Sequence, residues 1–378
     1  MKKLYFKKKL TKEDKETNIL LGLIDLYIKS NAPIGSNFLK ENFFKDMSSA
    51  TIRNYFSKLE EKGYLEQVHI SGGRVPTSKA FKKYAEKNLD HKNIDKKDLD
   101  FLNQELIQDS KKITDFLIKS AESLSNLVNA SVFLSLPRFD QDYISNIKLI
   151  LLEDNKILCV IVTDFGMIKT QTLYIKKNVS EKLLSKIEEF FLYRMSKANK
   201  PFLMPEEKRI ATHLYNEIMI RYVVGYASCN SEYIYKTGLS KLLSYDEFKD
   251  PIKLAECLSI FENSTKMNQI LLDTIKNNQI SFYIADDLLK FDIESQNSSI
   301  ICMSYKINEI IAGAVVLLLP IRAPYKKIFA ILKEYTKNLS NTLTKNIYKY
   351  KISFHSPLDK DLKKLNKNNS ILLEDKSK

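Results

Sequence analysis

The sequence predicts a multidomain protein of mixed α+β class, helical at its start and sheet-containing in its body. Three observations carry this. Apolar residues recur at helical spacing through the first ninety positions, shift from Ala130 to short strand-like runs, then yield to helical stretches before strand signals resume near residue 280. Strands that stop, give way to helices and resume indicate a sheet domain interrupted by an insertion. At 378 residues with 44% hydrophobic content, the chain can fill two or three sizeable cores.

In residues 14–31, Ile19, Leu20, Leu23, Ile24 and Tyr27 form one stripe of a 3.6-residue period, which predicts an amphipathic helix stopped by Ala32, Pro33 and Gly35. Ser36 is placed to cap a short second helix through Leu39 and Phe43. Ser48 or Ser49 caps a third, with Ile52, Phe56 and Leu59 inward and Gly63 as its C-terminal stop. YLEQVHI (64–70) alternates as a strand, and the turn Ser71, Gly72, Gly73 and Arg74 joins it to a return strand at Val75 and Pro76. Three helices followed by such a hairpin make a winged helix-turn-helix. A further helix carries Phe81, Tyr84 and Leu89, HKNIDKKDLD reads as a hinge, and residues 99–128 return to helical spacing.

From Ala130, four apolar runs read as strands, the last three joined by turns at Asp154-Asn155 and Asp164 to Gly166. Helices are predicted at about 180–199, 205–223 and 251–278, strands at ISFYIA, IICMSYKI and IIAGAVVLLL, and a last helix from Tyr325 to about Lys349. The tail beyond Pro357 is rich in Lys, Asn, Asp and Ser and reads as loose. The expected division is residues 1–90, a helical linker at 91–128, a discontinuous domain at 129–199 and 279–350, an insert at 200–278, and a basic tail at 351–378.

Several function classes recede on composition. The apolar run Ile310 to Pro320 is about half the roughly 20 residues a membrane-spanning helix needs. The N-terminus lacks the apolar core of a signal peptide, so a cytoplasmic location is expected. Cys159, Cys229, Cys257 and Cys302 are far apart without a CxxC pair, and His69, His91, His213 and His355 are equally scattered. That argues against a disulfide framework or a metal site, and no cofactor is expected. No nucleophile and base share a recognisable motif and there is no glycine-rich phosphate loop, so an enzyme is not expected.

The net charge of +14 implies attraction to polyanions without saying which. Its distribution says more: residues 1–90 hold 18 Lys and Arg against 11 Asp and Glu, half of the excess in under a quarter of the length. The second helix of a helix-turn-helix inserts its N-terminal end into the major groove and needs short polar groups and a long donor there. Ser49, Thr51, Arg53, Asn54 and Lys58 fit that role. Arg53 suits guanine and Asn54 adenine, each bidentately, and these two are the expected principal contacts; the competing reading has Arg53 paired with Glu60 or Glu61. In the hairpin, Gly72 and Gly73 allow close backbone approach, and Arg74 suits a minor groove or a phosphate. Lys2, Lys3, Lys7, Lys8 and Lys9 are either a nonspecific basic arm or a solvated terminus.

PIGSNFLKENF (33–43) and then SSATIRNYFSKLEEKGYLEQVHISGGRVPTSKAFKKY (48–84) resemble the pattern of the HrcA family, in which a PVGS turn, a SPATIRN helix and a PHxSAGRxPT hairpin follow one another at fixed spacing. Weaker resemblance continues through LILLEDNKILCVIVTDFGMIKTQTL, YKTGLSKLLSYDEFKD and GAVVLLLPIRAPYKKIFAILKEYTKNLSNTL, so it covers nearly the whole chain. Departures include Val68 for a proline, Gly72 for an alanine, IADDL at 284–288, and PIRAPY at 320–325 for a PTRMDY-like segment. The resemblance implies a winged helix, a GAF-like domain and a dimerising domain inserted into it. It also implies a homodimer that binds double-stranded DNA at an inverted-repeat operator of the CIRCE type, upstream of chaperone operons. The GroE chaperonin would keep the repressor active until unfolded clients divert it. Carried onto this sequence, Ser49, Thr51, Arg53 and Asn54 are helix readers, and His69, Ser71 and Arg74 are hairpin positions. The alternative is a winged-helix regulator whose GAF-like domain senses a small molecule.

Overall fold

The computed structural model of the protein describes residues 11–67, 72–107, 112–136, 144–152, 156–163, 166, 168–175, 179–195, 199–227, 234–307 and 310–350. The five N-terminal lysines, the turn residues Asp154, Asn155 and Asp164, and the basic tail lie outside the described residues.

Helix α1 (Lys12–Ser30) starts at Thr11, whose hydroxyl accepts the Asp14 N–H at 3.1 Å while the Asp14 carboxylate accepts the Thr11 N–H at 3.0 Å. This reciprocal capping sets the start two residues before the apolar stripe suggested. The helix ends on Asn31, whose left-handed φ of 49° turns the chain before Ala32 and Pro33. Helix α2 (Ser36–Phe43) is capped by Gly35 without a side-chain bond, and α3 (Ser49–Glu61) by the Ser48 hydroxyl. Ile19, Leu23, Leu39, Ile52, Phe56 and Leu59 converge in one buried cluster. Strand β1 (Leu65–Gln67) pairs antiparallel with β2 (Arg74–Pro76), and α4 (Ser78–Asn88) follows from a Thr77 cap.

The stretch expected as a linker is two helices, α5 (Lys96–Leu106) and α6 (Ile113–Val128). It is no free tether. Leu102, Leu106, Leu117 and Leu124 are fully buried in the same core as α1 and α4, because α5 and α6 pack on each other and on the long helix α12 (Tyr325–Tyr350), and α6 also packs on the sheet.

The body is a five-stranded antiparallel sheet in the order β7 (Ile234–Thr237), β3 (Ser131–Ser135), β10 (Ile310–Pro320), β9 (Ser298–Ile307), β8 (Ser281–Ile284). Its central strand, β10, alternates between two cores. Val315, Leu317 and Leu319 face α6 and α12 (Tyr325–Tyr350). Ala314, Val316 and Leu318 face the short α9 (Leu239–Leu242) with α10 (Pro251–Glu262) and α11 (Ser264–Asn277). Helices on both faces explain why β10 reads as an unbroken apolar run.

Between β3 and β7 the chain builds a second unit. Strands β4 (Ile144–Leu151), β5 (Lys156–Thr163) and β6 (Ile168–Tyr174) pair, among the described residues, only with one another. They pack one face on α7 (Glu181–Arg194) and α8 (Pro205–Ala227) through Ile147, Cys159, Ile161, Phe191 and Leu214. This corrects the expected limits of the interruption. Among the described residues, β4 to β6 do not join the body sheet, whereas β7 hydrogen-bonds β3 within it and α10 and α11 cover it. The sequence placed the interruption at 200–278; the described strands that stay out of the body sheet run from Ile144 to Tyr174. Among the described residues, no helix is long and apolar enough to cross a membrane.

Candidate nucleic-acid interface

Helix α3 displays the predicted readers on its outer side. With Ile52, Phe56 and Leu59 buried, the 3.6-residue repeat leaves Thr51, Arg53, Asn54 and Ser57 exposed, and Ser49 and Lys58 half-buried. The Ser48 hydroxyl accepts the Thr51 N–H at 3.0 Å and pairs with the Thr51 hydroxyl at 2.8 Å, which fixes the first turn. The Lys58 ammonium sits 5.9 Å from the Tyr55 ring centre and lies back along the helix.

Arg53 does not pair with Glu60 or Glu61. Its Nε donates to the Ser36 hydroxyl at 3.2 Å, which ties α3 to the first residue of α2. Ser36 is therefore not the cap of α2, as its position suggested: its hydroxyl serves Arg53, and Gly35 takes the capping position in extended backbone (φ −82°, ψ 153°). Glu60 instead holds Arg74, whose Nε and Nη2 both lie 3.0 Å from Oε2, and the Arg74 side chain is only 16% exposed. As described, Arg74 fastens the hairpin to α3.

The backbone repeats that fastening. Ile34 and Arg74 exchange two N–H to carbonyl bonds of 2.9 Å, adding a one-residue third strand beside β2. Gly73 is where the approach is closest: a Cβ there would stand 2.6 to 2.7 Å from the Ile34 backbone. The glycine thus serves an internal contact. His69 and Ser71 lie outside the described residues.

Between α2, α3 and the hairpin lies a cleft of about 540 Å³ lined by Ser36, Asn37, Arg53, Ser57, Gln67 and Arg74 among others. The start of α2, which has no side-chain cap bond, borders it, and helix N-termini carry partial positive charge that favours anions. A guanidinium, hydroxyls, amides and a helix start on one face suit phosphates and base edges. Sequence reading passed over Asn37, Ser57 and Gln67. Ser57 was accessible in principle, being one turn after Arg53 and on the same face. Among the described residues, no group of His, Cys, Asp and Glu is arranged to hold a metal.

Residues 114–329 match the family model described as HrcA protein C terminal domain. A heat-inducible transcription repressor HrcA of Protochlamydia amoebophila (strain UWE25) is 43% identical over 98% of this chain and 97% of its own length. The protein of that name from Chlamydia muridarum is 37% identical over 93% of this chain and 90% of its own. A crystal structure described only as that of a hypothetical protein superposes with a TM-score of 0.57 at 20% identity, over 88% of this chain and 98% of that one, a likeness of fold.

Proposed function

The chain belongs to the HrcA family of heat-inducible transcription repressors, and from that premise we propose that it represses chaperone operons by binding a CIRCE-type inverted repeat as a homodimer. As a family member it is a negative transcriptional regulator of heat shock. The observation that carries the DNA reading is the outer face of α3, where Thr51, Arg53 and Asn54 stand exposed at the capped start of the helix, beside the cleft.

On this reading residues 1–90 are a winged helix-turn-helix with α3 as recognition helix and the β1–β2 hairpin as wing. Ser49, Thr51, Arg53, Asn54 and Lys58 contact DNA from the helix, and His69, Ser71 and Arg74 from the wing. Residues 129–136 with 234–350 make the GAF-like body, and the unit of β4 to β6 with α7 and α8 is the dimerising insert. The uncovered face of its sheet supports that role. Ile150 lies opposite Leu158, and Ile168 opposite Val162, with Ile150 and Ile168 exposed. These exposed apolar side chains, set among Lys148, Thr170 and Thr172, are what a second copy would cover. Two heads on a two-fold axis match an inverted repeat, and one head alone reads too few base pairs for genomic specificity. The GroE chaperonin is the partner that keeps the dimer active.

Electrophoretic mobility shifts test the reading. Arg53→Ala and Asn54→Ala should each cost about 1 to 3 kcal/mol on a CIRCE-type duplex and little on a scrambled one. Equal losses on both duplexes would make these residues phosphate contacts, and light scattering showing a monomer that still binds the palindrome tightly would remove the dimer. Operator footprinting with and without chaperonin, at low and high temperature, tests the partner.

A further inference from the structure

The head formed by α1 to α4 is seated on the body through a contact that repression as stated above does not use. Its apolar part is continuous core: the Tyr325 ring lies 6.5 Å from both Phe81 and Tyr84. Its polar part includes the Lys82–Asp287 ion pair and centres on Arg322, in the PIRAPY segment at 320–325. The Arg322 Nε donates to Glu247, in the 3₁₀ turn Asp246–Lys249, and Nη1 donates to the Ile28 carbonyl at 3.2 Å. Arg322 and Glu247 are each only 14% exposed.

Ile28 lies in the last turn of α1, where carbonyls run out of intrahelical donors and the helix dipole favours a cation. Next to it, the Asn31 amide donates to Asp246 at 3.3 Å. The second Glu247 oxygen, Oε2, is buried without a hydrogen-bond partner among the described residues, so Arg322 is the cation that compensates this carboxylate. One side chain thus links three elements: the end of α1 in the head, the turn before α10, and the loop from β10 into α12. Two apolar surfaces can slide against each other, whereas a fork held at both ends by charge and direction sets an angle.

We propose that the Arg322–Glu247 joint fixes the angle of the DNA-binding head on the body, which makes Arg322 a positioning residue for operator recognition. The inference rests on the reading of the chain as a dimer on an inverted repeat. With each head held at a set angle, the two recognition helices present one separation, and the dimer selects half-site spacing as well as sequence.

The test uses the full-length protein and three DNA probes: a CIRCE-type inverted repeat, the same repeat with its spacer lengthened by a few base pairs, and a single half-site. The wild-type chain should prefer the native spacing clearly. Arg322→Ala should lose about tenfold on the native spacing, within the roughly 5- to 150-fold range of site-to-site coupling. It should bind the half-site as the wild type does, so that the spacing preference flattens. A second readout is independent of DNA: the distance between spin labels on Lys15→Cys in the head and Thr265→Cys on α11, in a Cys229→Ser background. That distance should be narrow in the wild-type joint and broad with Arg322→Ala. If Arg322→Ala does not fold, Arg322→Lys is read the same way, since a single ammonium keeps the charge but not the fork to both Glu247 and Ile28. A wild type indifferent to spacing would count against the dimeric-repressor reading, and the spin labels would still decide the joint. An unchanged distance distribution in the variant, or an equal loss on the half-site, overturns the proposal.

Discussion

Gly73→Ala should detach the hairpin from the turn between α1 and α2. An added Cβ would meet the Ile34 carbonyl carbon at 2.6 Å and its nitrogen and oxygen at 2.7 Å, against an ordinary contact of 3.4 Å or more. These neighbours are backbone atoms and cannot rotate away, so the strand must move, and the two 2.9 Å bonds between Ile34 and Arg74 are lost. At about 0.5 to 1.5 kcal/mol net per bond the local loss is about 1 to 3 kcal/mol. The Glu60–Arg74 pair is partly exposed and holds with less than about 1 kcal/mol. Hydrogen exchange followed by mass spectrometry reads this directly. Peptides covering 32–36 and 72–76 should exchange about 5 to 150 times faster in the variant, at a tenfold change per 1.4 kcal/mol. Gly35→Ala is the control, because a Cβ there meets nothing within 4 Å. If Gly73→Ala exchanges like the wild type, the Ile34 bridge is not what holds the hairpin, and the account of Gly73 fails.

Three further outcomes follow from single contacts. Tyr84 donates its hydroxyl to Asp25 at 2.5 Å, and burial followed by that carboxylate pushes its pKa far above the ordinary tyrosine value. Tyr84→Phe should cost about 1.5 to 3 kcal/mol in denaturant titration. The contribution is present below about pH 10, where an unfolded tyrosine is neutral, and fades above it, so the gap between wild type and variant should narrow in alkali. Burial raises the thiols of Cys159, Cys257 and Cys302 to about 12 each; with Cys229→Ser the native protein should resist a disulfide reagent at about pH 8 and titrate three thiols once unfolded. Early reaction would contradict their burial. Gly35→Ser should stabilise the protein by about 0.4 to 1 kcal/mol, because the glycine already has extended capping geometry, lacks a side-chain cap bond, and leaves open space for a side chain. A lower melting temperature would refute that.

The head was legible because its signals are local. The stripe of Ile19, Leu20, Leu23 and Ile24, Ser48 before α3 and Gly63 after it each act within one or two turns of chain, and each lies where it was read. The partners of Arg53 and Arg74 were not legible, because Ser36 and Glu60 are 17 and 14 residues away and only the fold brings them near. The interruption was misplaced for a different reason. Strand β5 reads KILCVIVT, apolar on both sides, although only Ile157, Cys159 and Ile161 face α7 and α8. The alternation that marks a sheet with one open face is erased in β5 by Leu158, Val160 and Val162, and β6, IKTQTLY, buries only Leu173. Those residues made β4 to β6 look like strands of the same sheet as β3, and only the hydrogen-bond pairing separates them.

The pairing of β3 with β10 has a consequence for how the chain is made. Val132, Phe133 and Leu134 are buried between β7 and β10, and Leu134 sits opposite Val315, about 180 residues later. A ribosome adding about 5 to 20 residues per second delivers β10 roughly 10 to 40 s after β3 has emerged. For that interval β3 lacks a neighbour on one side, while the unit of β4 to β6 can close on its own local contacts. Nascent copies therefore spend seconds displaying the unsatisfied apolar edge that chaperones recognise. On the reading proposed above, a newly made repressor joins the queue of clients whose length it reports.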